Sequence, residues 1–162
     1  MYKKQAHIRN GDLDAAVNLA LQYTPFPATV CGHLCPNLCM EGCTRTRARM
    51  TPIDTALLGK ASLTASEPVA RPPTGKKVAI IGGGPAGLSV AWQLWMKGHE
   101  PVIFDRAEDL GGKIRSAIPF IRIPREVFEH ELRRVVNRVT RVRVEGDGVT
   151  EELFMDIRQR YE

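Results

Sequence analysis

All four cysteines of the chain fall in "CGHLCPNLCMEGCTR", residues 31–45, as Cys31, Cys35, Cys39 and Cys43. Thiols four apart share one stripe of an α-helix, where buried cysteines serve as small packing residues. Pro36 interrupts such a helix, however, and Gly32, Asn37 and Gly42 are turn formers. A run that alternates thiols with turn residues wraps around something, and four soft thiolates select zinc or an iron–sulfur cluster. Structural zinc sites bring two short knuckles separated by a longer loop, so the close, even spacing is nearer to a ferredoxin-like run. The residues alone leave cluster, zinc and packing open. His33, inside the run, is read as a side chain facing outward beside bound metal rather than as a ligand.

A second pattern carries different chemistry. "KVAIIGGGPAGLSVAWQLWMKGHEPVIFD" reads as a buried strand, a glycine turn, a helix stopped at Gly98 and a second strand. Gly82, Gly84 and Gly87 form G-x-G-x-x-G, with Pro85 and Ala86 between the last two. Gly82 permits the tight turn, Gly84 lets backbone amides approach a pyrophosphate, and Gly87 lets helix and strand pack closely. The phosphates would lie against the positive N-terminus of the helix. Asp105 ends the second strand, where an acid accepts the ribose hydroxyls of an adenosine. FAD and NAD(P) both use this fingerprint. Asp105 argues against NADP, because a carboxylate repels a 2′-phosphate, and Arg106 softens that objection. No residue is singled out as a catalytic acid or base.

Around these patterns lie the elements that must hold them. Residues 12–22 place Leu13, Ala16, Val17, Ala20 and Leu21 on one helical face, capped by Asn10 or Asp12. In "MTPIDTALLGKASLTA" Thr51 suits an N-cap, Pro52 the first helical position and Asp54 the positive end of the dipole. "SEPVARPPTGK" is rich in proline, has no periodicity and reads as a linker. Leu88, Ala91, Trp92 and Trp95 follow helical spacing, as do Phe128, Leu132, Val135, Val136 and Val139 in "PREVFEHELRRVVNRV". "TRVRVEG" alternates like a strand, and Thr150 starts a last helix. The plan is α/β: a small helical cysteine-bearing module over residues 1–65, a linker over 66–76, and a partial Rossmann-like domain with a parallel sheet over 77–162.

At 162 residues and 43% hydrophobic content, the chain suits one ordinary domain or two small ones. A formal charge of +5 fits an acidic partner or a polyphosphate ligand and is too diffuse to argue nucleic acid. No stretch approaches the length of a membrane span, and "MYKKQAHIRNGDLD" lacks the apolar run of a signal peptide. A cytoplasmic location with reduced thiols is the expectation, and a disulfide framework the weaker reading. The arginines from Arg133 to Arg143 read as a solvated face, with docking to an acidic electron-transfer partner as the alternative.

"DLGGKIRSAIPFIRIPREVFEHEL" adds the glycine pair Gly111–Gly112 and then "IPFIRIP". With the glycine turn and "CGHLCPNLCMEGC", these motifs resemble the small (beta) subunit of glutamate synthase and its relatives. Those are flavoprotein NAD(P)H oxidoreductases, related to the N-terminal half of dihydropyrimidine dehydrogenase. "IRNGDLDAAVNLALQYTPFPATV" is similar to the family's lead-in and "TPIDTALLGK" to its following helix, so the likeness runs over nearly the whole chain. Ala117 stands where the family usually has glycine before Ile-Pro.

The resemblance implies FAD on the first glycine turn, held by Gly82, Gly84, Pro85, Ala86, Gly87, Asp105, Arg106 and Gly112. It also implies one [4Fe–4S] cluster on Cys31, Cys35, Cys39 and Cys43, of which the last three match the most regular part of the family pattern. The second cysteine block that two-cluster members carry upstream is absent. Family members continue into a further strand and a second dinucleotide domain, so the chain is expected to be a fragment or a piece completed by another chain. In the complete enzyme, hydride is then expected to pass from NAD(P)H to FAD, and electrons to leave through the cluster to a redox partner subunit or protein. Leu153, Phe154 and Ile157 of the last helix are expected to be only partly covered. A reading from a different class is a non-catalytic, zinc-stapled helical interaction module fused to an NAD-binding fold.

Overall fold

The computed structural model describes residues 2–146 and 148–161, and the chain divides into two compact units. One comprises Met1–Pro68 with Pro119–Glu131, the other Val69–Ile118 with Leu132–Glu162. This division differs from the one expected, because residues 119–131 pack with the helical unit although they follow the dinucleotide motif in sequence.

In the first unit, α1 (Tyr2–Arg9) precedes α2 (Leu13–Leu21). Asp12 caps α2, its Oδ1 accepting the Ala15 N–H at 2.9 Å, and Ala16, Val17 and Leu21 are buried as their spacing predicts. The chain then winds into a π-type helix, Ala28–Leu34, and through two short helices, α3 (Leu38–Glu41) and α4 (Thr44–Arg47). Helix α5 (Thr55–Lys60) begins later than "TPID" suggests. Asp54, not Thr51, is its N-cap and accepts the Leu57 N–H at 2.8 Å. A carboxylate meets both the free amide and the helix dipole, where a hydroxyl meets only the amide. Further along, Asp14 accepts from the Ser66 hydroxyl and from its N–H, at 2.7 Å for the latter, which holds the Asp14 carboxyl below its ordinary value.

In the second unit, β1 (Lys77–Ile81), α6 (Pro85–Met96) and β2 (Glu100–Asp105) form a βαβ hand, followed by α7 (Lys113–Ala117). Helix α8 (Arg125–Val136) belongs to the first unit up to Glu131 and to the second from Leu132. Strand β3 (Thr140–Arg143) and helix α9 (Glu151–Arg160) complete the described chain. Among the described residues the strands make one parallel sheet in the order β1-β2-β3, with Ile81 opposite Phe104 and Asp105 opposite Arg143. Val102, Ile103 and Phe104 are all buried, the mark of a central parallel strand covered on both faces.

From Val69 onward the expected linker is a fixed border of this unit. Arg71 N–H donates to Met96 O at 3.1 Å, Thr74 N–H to Gly98 O at 2.9 Å, and Glu100 N–H to Lys76 O at 2.8 Å. Gly98 takes φ +85°, and a Cβ there would strike the Pro72 carbonyl oxygen, so the stop of α6 and the course of the proline segment depend on one another. Helix α9 starts at Thr150, whose Oγ1 accepts the Leu153 N–H at 3.3 Å. Ile157 is better covered than expected, packed in one cluster with Val102, Phe104 and Val144, while Phe154 stays 46% exposed. No helix among the described residues is long and apolar enough to cross a membrane.

Candidate functional site

The glycine turn joins the end of β1 to the start of α6, and each fingerprint glycine meets a different constraint. Gly82 takes φ +100°, a region that side chains avoid, and its N–H donates to Phe104 O at 2.8 Å. A Cβ on Gly87 would lie far inside contact distance of the Gly82 carbonyl oxygen, so helix and turn touch there through bare backbone. Gly84 has an ordinary φ of −76°, and a Cβ there would meet no protein atom within 4 Å. Pro85 then opens α6, where its missing N–H costs nothing. Gly84 is therefore bare toward open space at a helix N-terminus, the place that suits a pyrophosphate.

The second glycine pair closes against this turn. Gly111 N–H donates to Gly83 O at 2.9 Å, and a Cβ on Gly112, at φ +53°, would come within 2.9 Å of the Gly84 Cα. Asp105 stands at the tip of β2, its Oδ2 accepting the Gly83 N–H and its Oδ1 accepting the Ala107 N–H at 2.7 Å. The acid read as a ribose acceptor thus also pins the turn from within the protein. Arg106 lines a cavity of about 370 Å³ beside the sheet end with Arg143, Val144, Glu145 and Gly146. Pro85, Ala86 and Gly112 lie in the same turn region as Gly82, Gly84 and Gly87, so the residues present fit a dinucleotide. Asp105→Ala is expected to lower stability by about 1–3 kcal/mol as well as to weaken nucleotide binding, since two amides lose their acceptor. Urea midpoints measured beside a nucleotide titration check both effects; unchanged stability would mean the two amides find acceptors elsewhere.

Gly83 escaped the fingerprint reading. A Cβ there would strike the end of the Leu110 side chain and crowd Asp105 Oδ2, so the middle glycine of "GGG" lets "DLGG" approach without displacing Leu110. Its signal in the sequence is the unbroken glycine run itself, one residue longer than the fingerprint asks.

The cysteines occupy the first unit. Cys31 lies in the π-type helix and Cys35 ends it, its N–H donating to Val30 O at 2.8 Å. Asn37 takes φ +58°, its N–H pointing to the Cys35 Sγ at 3.4 Å and its Nδ2 donating to Cys35 O at 3.1 Å. Cys39 lies in α3 with its Sγ 3.3 Å from Thr55 Oγ1, and Cys43 precedes α4. Backbone hydrogen bonds from Ile53 and then Arg45, aided by the Arg45 charge, hold the Cys43 thiol below its ordinary value. Cys39 and Cys43 share a cavity of about 490 Å³ with Ile8, Arg9, Arg45 and Ile53. None of the four cysteines is in a disulfide. Among the described residues, no three of His, Cys, Asp and Glu stand together in an arrangement that would hold a metal ion. The donor chemistry fits a thiolate-bound metal, and closing four ligands on it requires the turn to draw together. His33 is partly buried, and that burial, with Lys60 nearby, holds it below its ordinary value.

Helix α5 packs tightly behind the cysteines. A Cβ on Gly59 would come within 2.6 Å of Pro27 O, 2.9 Å of Gly32 N and 3.1 Å of the Cys31 Cβ. "LLGK" reads from its sequence as helix alone. Glycine inside a predicted helix, where it is disfavoured, was the available sign of such an approach.

The family described as NAD(P)-binding Rossmann-like domain matches residues 80–139. The chain is 33% identical over 137 residues to "Glutamate synthase [NADH]" of Schizosaccharomyces pombe, covering 80% of this chain and 6% of that protein. It is 36% identical over 117 residues to "NAD-dependent dihydropyrimidine dehydrogenase subunit PreT" of Salmonella typhimurium, covering 66% of this chain and 28% of the relative. Over 78 residues it is 42% identical to "NADP(+)-dependent formate dehydrogenase subunit beta" of Moorella thermoacetica, covering 44% of this chain and 11% of that one. The chain thus spans less than a third of the length of each of these relatives.

Proposed function

Because the chain belongs to the glutamate synthase small-subunit-like family of NAD(P)H oxidoreductases, we propose that it is a redox component of a larger FAD-dependent enzyme. In this reading it passes electrons between a nicotinamide cofactor, FAD and a [4Fe–4S] cluster, to or from a partner redox subunit or protein of the cytoplasm. The observation that carries it is one chain that holds both a glycine turn, closed by Gly111 and Gly112 at a helix N-terminus, and four cysteines in one short run, none of them in a disulfide.

Gly82, Gly84, Pro85, Ala86 and Gly87 would present backbone to the pyrophosphate of FAD, Gly112 would close over it, and Asp105 with Arg106 would face the adenosine. Asp105 remains able to accept ribose hydroxyls while held by its two amides, since each carboxylate oxygen has a second lone pair. When bound, flavin supplies both hydride and single-electron chemistry, and the protein supplies binding, orientation and charge. Cys31, Cys35, Cys39 and Cys43 would hold the cluster, and the shift of Cys43 toward thiolate prepares one ligand for metal. Oxidation of NAD(P)H is assigned to the assembly that contains this chain.

Two measurements on anaerobically prepared protein test the proposal: metal analysis, and titration with FAD, NADH and NADPH. The expected result is about four iron atoms per chain with broad visible absorbance, and tighter binding of FAD than of either nicotinamide. Stoichiometric zinc without iron, together with preferred binding of a nicotinamide, would replace this reading with that of a zinc-stapled interaction module.

A further inference from the structure

Glu131 is fully buried, 0% exposed, yet its neighbours explain its presence. Its Oε1 accepts the Ala28 N–H at 2.8 Å and the Ser62 hydroxyl at 3.1 Å, and its Oε2 accepts the Thr29 N–H at 2.7 Å. Ala28 and Thr29 begin the π-type helix that carries Cys31 and ends at Cys35. The residue before them, Pro27, has no side chain able to cap, so the donors of that first turn need an acceptor from elsewhere. Glu131 supplies it across 103 residues of sequence. A carboxyl group has two oxygens and so meets two amides of a helix start at once.

We propose that Glu131 is a positioning residue for the cysteine turn, fixing the start of the helix from which Cys31 and Cys35 are presented. Two supports then act on the same short helix. Glu131 holds its first amides, and the bare backbone of Gly59 abuts Gly32 and the Cys31 Cβ. A side chain two methylenes long spans the distance to both amides at once, whereas glutamine offers one oxygen and turns an N–H₂ toward a second N–H. Cys39 lies beyond Asn37 in α3 and Cys43 precedes α4, whereas the amides that Glu131 accepts from, those of Ala28 and Thr29, begin the helix of Cys31 and Cys35. Loss of the carboxylate is therefore expected to loosen the first two thiols and spare the last two.

The inference rests on reading Cys31 and Cys35 as ligands, but its test needs no cluster. In the full chain stripped of metal, alkylation by iodoacetamide is followed at each cysteine by mass spectrometry. In Glu131→Gln, Cys31 and Cys35 are expected to react about tenfold faster, with Cys39 and Cys43 within about twofold of the parent. Ser62→Ala, which removes one hydrogen bond and keeps both oxygens of Glu131, is expected to show the same selectivity at smaller size. It also decides the case in which Glu131→Gln loosens the whole chain. Unchanged rates at Cys31 and Cys35 in Glu131→Gln overturn the proposal, as does equal acceleration of all four thiols in both variants. Either result is independent of whether iron, zinc or no metal binds.

Discussion

Gly87→Ala is expected to cost about 2–3 kcal/mol of stability, while Gly84→Ala leaves stability within about 0.5 kcal/mol of the parent and weakens dinucleotide binding. The two glycines stand three residues apart in one turn, yet the space beside them differs. Beside Gly87 the neighbouring atom is the Gly82 carbonyl oxygen, part of the main chain and unable to swing aside. Adding a methyl group there forces α6 away from β1, and with it the packing of Leu88, Ala91 and Trp92. A Cβ on Gly84 would meet no protein atom within 4 Å, and its φ of −76° suits alanine. A methyl group at Gly84 therefore projects into the space assigned to phosphate. The expected loss of FAD affinity is on the order of a hundredfold, about 2.7 kcal/mol. Urea denaturation and fluorescence titration of both variants separate the folding glycine from the binding one. Parent-like FAD binding by Gly84→Ala would remove the phosphates from this turn.

The second large effect is expected from the thiols. Replacing Cys35 and Cys39 together by alanine should lower iron from about four atoms per chain to below about one, because two ligands cannot hold a cubane. All four cysteines lie in the first unit and the glycine turn in the second, so FAD affinity should stay within about twofold of the parent. Closing four thiolates on one cluster would draw together the turn between Gly32 and Gly42 and hold it there. A gain in resistance to proteolysis on reconstitution, absent in the double variant, is the accompanying signature. Iron content that survives both substitutions would mean that the metal sits elsewhere.

Much of the second unit was legible because its signals are local. An apolar run, a glycine turn, a helix with Leu88, Ala91 and Trp92 on one face, and an acid at the end of the next strand lie within thirty residues. Each constrains its neighbours through the backbone alone. The cap at Asp54 was misplaced by three residues because "TPID" offers two acceptors, and only their positions in space decide between them. What could not be read was reciprocal and distant. Gly83 answers to Leu110, Gly98 to Pro72, and Gly59 to Pro27 and Cys31. The proline segment lacks periodicity because its backbone hydrogen bonds at Arg71, Thr74 and Lys76 reach Met96, Gly98 and Glu100, at the end of α6 and the start of β2. The return of residues 119–131 to the helical unit likewise leaves no local trace, since a helix shows which face it buries and not against what.

The two tryptophans of the chain stand one helical turn apart on α6, their rings 4.9 Å apart with Arg138 over both. Trp92 is fully buried beside the sheet, and no tryptophan lies in the cysteine-bearing unit. Intrinsic indole emission is therefore a private signal of the dinucleotide unit, quenched or shifted when α6 leaves its sheet. Thiol titration reads the other unit. One sample, followed by light and by label, yields a separate melting curve for each half of the chain.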